Sequence, residues 1–466
     1  MNHLLNRLRV PRLLHHRLLP LLAMVAMIGG IHTAVCGMAS LFGQQKKSTH
    51  GSAHESTRAA VKESASEADK PRTIKILKHK GFADIVRLNE LNSNFVESNP
   101  FVSPDGKTIF FLSERGGMPW SRKKTLMGYD NYEGFDGDIW YAERASNGGW
   151  KTPEALGESI NSGRGEDEPS ISFDGHTVLF ESWRDGWRDN GGPYYEATFQ
   201  GITWTNPVGL GGGINEFFYA MRYKDSTYAT DGSTFSTDMK TMIFAVGPRY
   251  DAPMDLFIST KDEKGKWSYP KKLILPVDGD ERSAFLAADG KTLYFATNAF
   301  DGFGGLDIYK ATLKPDGSVT NIANIGEPFN TKGDDYGFTL TATGDEAFFV
   351  RNGDLYTARL GRNMDALKPA PTAVLTGVVK NKETGVPMGA TVELRELPKG
   401  QPMQCTANPL TGEYAAVLAI GKTYEQTVTA PNLTPFKRTF KVQPAKNGGS
   451  LKLEYDIILA PPRKTW

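Results

Sequence analysis

Cysteine is nearly absent from this chain: among 466 residues only Cys36 and Cys405 carry a thiol. If Cys36 is acylated or removed, Cys405 stands alone, no intramolecular disulfide forms, and stability must come from apolar cores. An excess of charge of one sign is lacking as well. Lysine plus arginine number 54 against 53 aspartate plus glutamate. That balance gives no argument for nucleic acid or for attraction to an anionic membrane. Long apolar runs are missing too. The longest, Leu18–Ile31, is shorter than the roughly 18–20 residues a membrane helix needs. Catalytic signatures are equally scarce: there is no Gly-x-Ser-x-Gly, no Walker loop, no His-Glu-x-x-His and no paired Cys-x-x-Cys. Six of the eight histidines precede residue 55, leaving His79 and His176. Neither a metal site nor a cofactor is therefore expected, and the chain reads as not an enzyme.

What is present is a recurrent turn. Ser103-Pro104-Asp105-Gly106-Lys107-Thr108 runs into Ile109-Phe110-Phe111-Leu112, and Ser172-Phe173-Asp174-Gly175-His176-Thr177 into Val178-Leu179-Phe180. Further copies start at Ser236 (where Met239 replaces the glycine), at Ala287 and, eroded, at Ala342. Asp-Gly between β-rich runs favours a tight hairpin, because the turn positions need positive φ. After each second strand comes Asp-[Ile/Leu]-aromatic, at Asp138, Asp255, Asp307 and Asp354, with Pro193-Tyr194-Tyr195 in the second unit. A fourth strand carries Pro…Leu-Gly…Ile-Asn, as at Pro153, Leu156-Gly157 and Ile160-Asn161. Tandem four-strand units of this length are the mark of an all-β propeller.

These motifs resemble the TolB-like, WD40-like β-propeller repeats of bacterial envelope proteins, over roughly residues 84–360. The reading is a propeller over 73–364 with five blades, or six if 217–228 hide a degenerate one. The last unit lacks its fourth strand, and Asp84–Asn92 is of the missing type, so the ring is expected to close by pairing its two ends. After Pro369 and Pro371 the pattern changes to short strands over 372–462, a small β-sandwich. Gly377…Thr384-Gly385-Val386-Pro387…Thr411-Gly412-Glu413-Tyr414 looks like the carboxypeptidase regulatory-like domain, which is non-catalytic in that family.

The N-terminus reads as a signal over 1–36, with four arginines before the apolar run. Cys36 sits where a lipoprotein signal would be acylated, while simple cleavage after Ala39 is the rival. Residues 37–72 read as a flexible tether. Export to the periplasm or outer membrane follows, with membrane contact only through the acyl group.

Two sets of side chains are candidates for function. Glu97, Glu166, Glu281 and Asp335 precede the turns at a fixed place that opens each innermost strand. They would ring one mouth of the central channel, or else cap backbone N–H groups between blades; Asp231 lies one place off. Trp120, Trp183, Arg184, Trp187 and Tyr194 fall in the variable loops of one face, where a partner would dock. The two-domain order resembles outer-membrane-associated proteins of Bacteroidetes, some of them belonging to type IX secretion. Many such proteins end in a peptidoglycan-binding domain of the outer-membrane-protein-A type, which does not follow here, so the acyl anchor would take its place. The resemblance implies a non-catalytic envelope scaffold that binds another envelope protein, with a link to type IX secretion or envelope integrity. The alternative is a carbohydrate-binding or glycan-processing surface protein.

Overall fold

The computed structural model describes residues 74–80, 83–123, 134–221, 229–276 and 278–462. The signal, Cys36 and the tether lie outside the described residues. Each recurrent turn is closed by its own side chains. Ser103 Oγ donates to Asp105 Oδ1 at 2.7 Å and accepts from Thr108 N at 2.9 Å. Gly106 takes φ 76°, which glycine adopts at no steric cost. The same bonds recur at Ser172–Asp174–Thr177 and at Ser236–Asp238–Thr241. In the fourth copy, which has no serine, Thr292 Oγ1 reaches Asp289 Oδ2 directly at 2.7 Å.

Among the described residues these hairpins build five antiparallel sheets, here blades I to V, with strands a to d running outward. The innermost strands are Glu97–Val102, Glu166–Ile171, Ala229–Phe235, Glu281–Leu286 and Asp335–Leu340. Each packs on the next and the last packs on the first, so the ring is closed. The chain closes it from both ends. Ile85–Arg87 supplies strand d of blade V, antiparallel to Asp354–Arg359. Arg87 fixes that pairing with two bonds to the Asp354 carboxylate, at 2.9 and 3.0 Å. Lys75–Ile76 adds a parallel fifth strand to blade IV.

The Ile-Asn motif after strand d has a physical role. Asn161 accepts from Ile139 N and donates to Ile139 O, at 2.9 and 3.0 Å, clamping strand c of its own blade. Asn330 does the same for Ile308. In blade V the clamp is Asn92 on Leu355, so the N-terminal segment brings both strand and clamp to the other end of the chain.

One expectation differs. Residues 217–221, where a sixth blade was left open, belong to a helix, Gly212–Met221; residues 222–228 lie outside the described residues. Ile214, Phe217, Phe218 and Met221 fall at helical spacing. The first three are buried against blades II and III.

Residues 372–462 form two four-stranded sheets. One is built on Thr372–Asn381; the other orders Pro402–Ala407, Ala390–Glu396, Thr423–Thr429 and Phe436–Lys441. Val392, Leu375, Val428 and Ile457 are fully buried between them. This unit sits on the turn face of the propeller. Thr406 N donates to Asp174 Oδ2 at 2.7 Å, Ala370 N to Asp289 Oδ2 at 2.8 Å, and Lys107 Nζ meets Glu413 Oε1 at 3.0 Å. Val374 and Val417 pack on Ala342, Phe173 and Ala288. Those three residues line the lower end of the channel, which the sandwich therefore covers.

The clasp can be tested by two truncations on the same segment. Leu91 is fully buried among blades I and V, whereas Val86 is 53% exposed. Leu91→Ala should cost about 2–5 kcal/mol, and Val86→Ala no more than about 0.5 kcal/mol. Denaturant unfolding of both variants checks this; equal effects would mean that the segment does not lock the ring.

Candidate functional site

The carboxylates expected at the channel mouth do not line it. Glu97, Glu166, Glu281 and Asp335 are at most 1% exposed and turned into the blade seams. Glu97 accepts from Ser93 N, Ser93 Oγ, Ser113 Oγ and Arg115. Glu166 repeats the set with Ser162, Ser182 and Arg184, and Asp335 with Thr331 and Arg351. They cap the loop that enters each blade, which is the second of the two readings. Glu281 has no such arginine. Burial, and then the charge of Asp255, push its carboxyl up to about 8.

The correction is an offset of one residue. Side chains alternate along a strand, so the channel belongs to the next position: Ser98, Asp167, Asp231, Arg282 and Tyr336. Tyr336 of blade V feels the charges of Asp231 in blade III and Asp167 in blade II. Those blades are not its neighbours in the ring, so the influence acts across the axis. Burial, then Asp231, raise its phenol far above the ordinary value.

This layer is tied together. Arg282 Nη1 bonds Asp231 Oδ2 at 2.9 Å and its Nε bonds Asp280 Oδ1 at 2.8 Å. Its Nη2 donates to the carbonyls of Tyr250 and Ala252. Asn99 Nδ2 donates to Asp167 Oδ1 at 2.9 Å across the seam of blades I and II. Above the guanidinium lies the ring of Tyr250, 5.2 Å from it and 51% exposed. At the mouth Asp167 and Tyr336 are half-buried and Tyr250 half-exposed, while Asp231 and Arg282 are buried and bonded to each other.

Below this layer every innermost strand is broken by a bulge. One residue of each bulge holds positive φ: Asn99, Glu168, Gly232, Ser283 and Gly337. A Cβ on Gly232 would stand 2.4 Å from Ser283 Cα of the next blade, so glycine is required there. The bulges press the strands together and narrow the channel.

The aromatic set is also corrected, because it is not an exposed patch. Trp187 and Tyr194 are buried, and Trp183 packs edge-on to both Trp187 and Phe218, at 5.2 and 5.7 Å. Tyr194 donates to Glu168 Oε2 at 2.8 Å. Arg184 serves Glu166 and the carbonyl of Ile160. Trp120 donates Nε1 to Asp138 Oδ1 at 2.9 Å. The helix Gly212–Met221 packs Phe218 against Trp183 and Tyr194, and only its short apolar spacing could have signalled that. Among the described residues no group of three or more His, Cys, Asp or Glu is placed to hold a metal.

No family model and no curated protein matches the sequence. Among solved structures, the chain is similar to a gluconolactonase from Xanthomonas campestris. That likeness has 12% identity and a TM-score of 0.32, and covers 63% of this chain and 97% of the other. A glycosyl hydrolase from Bacteroides ovatus is similar at 11% identity and TM-score 0.39, covering 62% and 97%. A β-1,2-mannobiose phosphorylase from Listeria innocua is similar at 10% and 0.38, covering 59% and 96%. Likeness this distant bears on the β architecture alone. The expectation that the chain is not an enzyme is withdrawn, since the structures named here are enzymes.

Two further carboxyls, both aspartates, titrate above their ordinary value of about 3.9. Burial, then neighbouring charge, push Asp138 up to about 7 and Asp307 up to about 6. Between about pH 4 and these values the unfolded chain releases protons that the folded chain keeps. Stability from these groups is therefore full at low pH and falls as pH rises to about 7. Asp138→Asn should flatten that fall, gaining on the wild type by on the order of 1 kcal/mol or more between pH 5 and 7.5. Urea midpoints at the two pH values measure it; parallel midpoints would refute the assignment.

Proposed function

We propose that the chain is a carbohydrate-binding surface protein that takes a saccharide at the open mouth of its propeller channel. The observation that carries this reading is the half-exposed ring of Tyr250 above Asp167 and Tyr336, held over the buried Asp231–Arg282 pair. Sugars need several fixed hydrogen-bonding groups and one apolar face to stack on, and this mouth supplies both. The opposite mouth is covered by the sandwich, which leaves this one open to a ligand. Capture of a protein through Trp183, Trp187 and Tyr194 has less support, because those rings are spent on packing.

The repeats are of the TolB-like, WD40-like kind in this reading, and the C-terminal unit is a carboxypeptidase regulatory-like sandwich. The turn bonds at Ser103 and Ser172 and the two four-stranded sheets support those names. The N-terminal signal pattern supports export; finding the protein in the cytosol on fractionation would count against the surface setting. Two carboxylates at one mouth also meet a minimum requirement for acid–base cleavage of a glycosidic bond. Glycan processing is therefore the second reading.

A glycan array probed with the full-length protein tests the proposal, with each hit titrated and assayed for new reducing ends. Tyr250→Ala and Asp167→Asn should each weaken binding at least about tenfold, a loss of roughly 1.4 kcal/mol. The melting temperature of Tyr250→Ala should hardly move, since the lost ring is half in solvent. An array without hits, or hits kept by both variants, would sink the reading.

A further inference from the structure

In the sandwich, the strand Phe436–Lys441 is the last of its sheet, so among the described residues one row of its backbone N–H and C=O groups faces no other strand. Lys437, Thr439 and Lys441 supply that row, because Val442 N bonds Lys422 O in the same register. Their side chains are exposed, while Phe436, Arg438 and Phe440 alternate to the core side. Arg438 is the unusual member. Its guanidinium carbon lies 3.4 Å from the centre of the exposed Tyr455 ring and 4.3 Å from that of Phe440. Its Nε donates to Oε1 of the fully buried Gln426 at 2.6 Å. Tyr414 completes the support, accepting from Gln426 at 3.4 Å and donating to the Tyr455 carbonyl at 2.7 Å.

No described carboxylate pairs with this guanidinium. Asp456 is spent on Lys380 Nζ and Val378 N, at 3.0 and 2.9 Å, and Glu425 lies on the opposite face beside Thr439. Burial lowers the pKa of Arg438, and no carboxylate stands among the charges that act on it. A planar guanidinium held by stacking is the group that takes a carboxylate through two parallel bonds. Charge and edge together select the occupant. The six residues of the strand carry three cations and no anion. Two copies of this edge laid together would set like charges opposite each other, which disfavours self-pairing. We propose that the edge takes an extended acidic segment of a partner protein as an added strand, with a carboxylate on Arg438 and apolar side chains beside Phe436 and Phe440. Lys437 and Lys441 then meet acidic residues on the outer face. This docking strip does not depend on the saccharide reading.

A fluorescent peptide, Glu-Val-Thr-Glu-Glu-Val between glycine spacers, titrated into the full-length protein by anisotropy tests this. Binding with a Kd below about 1 mM is expected, and the same peptide with Lys in place of Glu should not bind. Amide hydrogen exchange should slow at Lys437, Thr439 and Lys441 in the complex, because the added strand takes their N–H groups. Arg438→Met should weaken binding at least about tenfold. The double variant Lys437→Glu/Lys441→Glu should do the same with its melting temperature unchanged, since both positions are exposed; it decides the matter if Arg438→Met fails to fold. No binding of the acidic peptide, or equal binding of the Lys peptide, would overturn the proposal. So would binding that the double variant retains, or that leaves exchange at the edge unchanged, which would place the peptide elsewhere.

Discussion

A carboxylate buried between two blades, at the first residue of an innermost strand, is the contact on which the ring depends. At Glu97, Glu166 and Asp335 it gathers the N–H and hydroxyl of the entering loop and an arginine from strand b's end. Such a charge is costly to bury, and removing one partner leaves it uncompensated, at about 3–5 kcal/mol. The arginines are held in turn over aromatic rings of their own blade, Arg184 lying 4.8 Å from Tyr195 and Arg351 5.3 Å from Tyr356. Blades I, II and V are therefore fastened to the loops before them, and the strands that follow are fixed in register.

Register then decides what faces the channel. With Glu97 and its equivalents turned into the seams, the next residue must face the axis, and the bulge after it turns the backbone again. Mouth, waist and lower channel thus become three layers: charged, then narrow, then apolar. Phe101, Phe285 and Ile171 line the lowest layer, above the sandwich. A single irregularity, repeated in all five strands, makes this separation. An unbroken alternation would have spread charge and apolar groups along the whole bore.

The turns were legible in the sequence because their chemistry is local: Ser, Asp, Gly and Thr bond one another within six residues, and nothing distant can alter that. Closure by residues 84–92 was legible for the same reason, since the missing strand type was recognisable by its Leu91-Asn92 ending. The mouth was missed by one residue. Carboxylates at a fixed place drew the eye to Glu97 and Glu166, while a strand's two faces cannot be told apart when one is a seam and the other a bore. The tryptophans were misread because loop length says where a ring lies in the chain, not what covers it. Their cover, the helix Gly212–Met221, occupies the place where a plain connection was expected.

The account stands or falls on the charged layer at the open end of the channel being a place where a ligand sits. The most direct measurement is a crystal structure of the full-length protein with its best array-selected oligosaccharide. The account predicts a sugar ring stacked on Tyr250, with hydroxyls bonded to Asp167 and Tyr336. Sugar density on the sandwich or on the outer blade edges, with the mouth filled only by water, would contradict it.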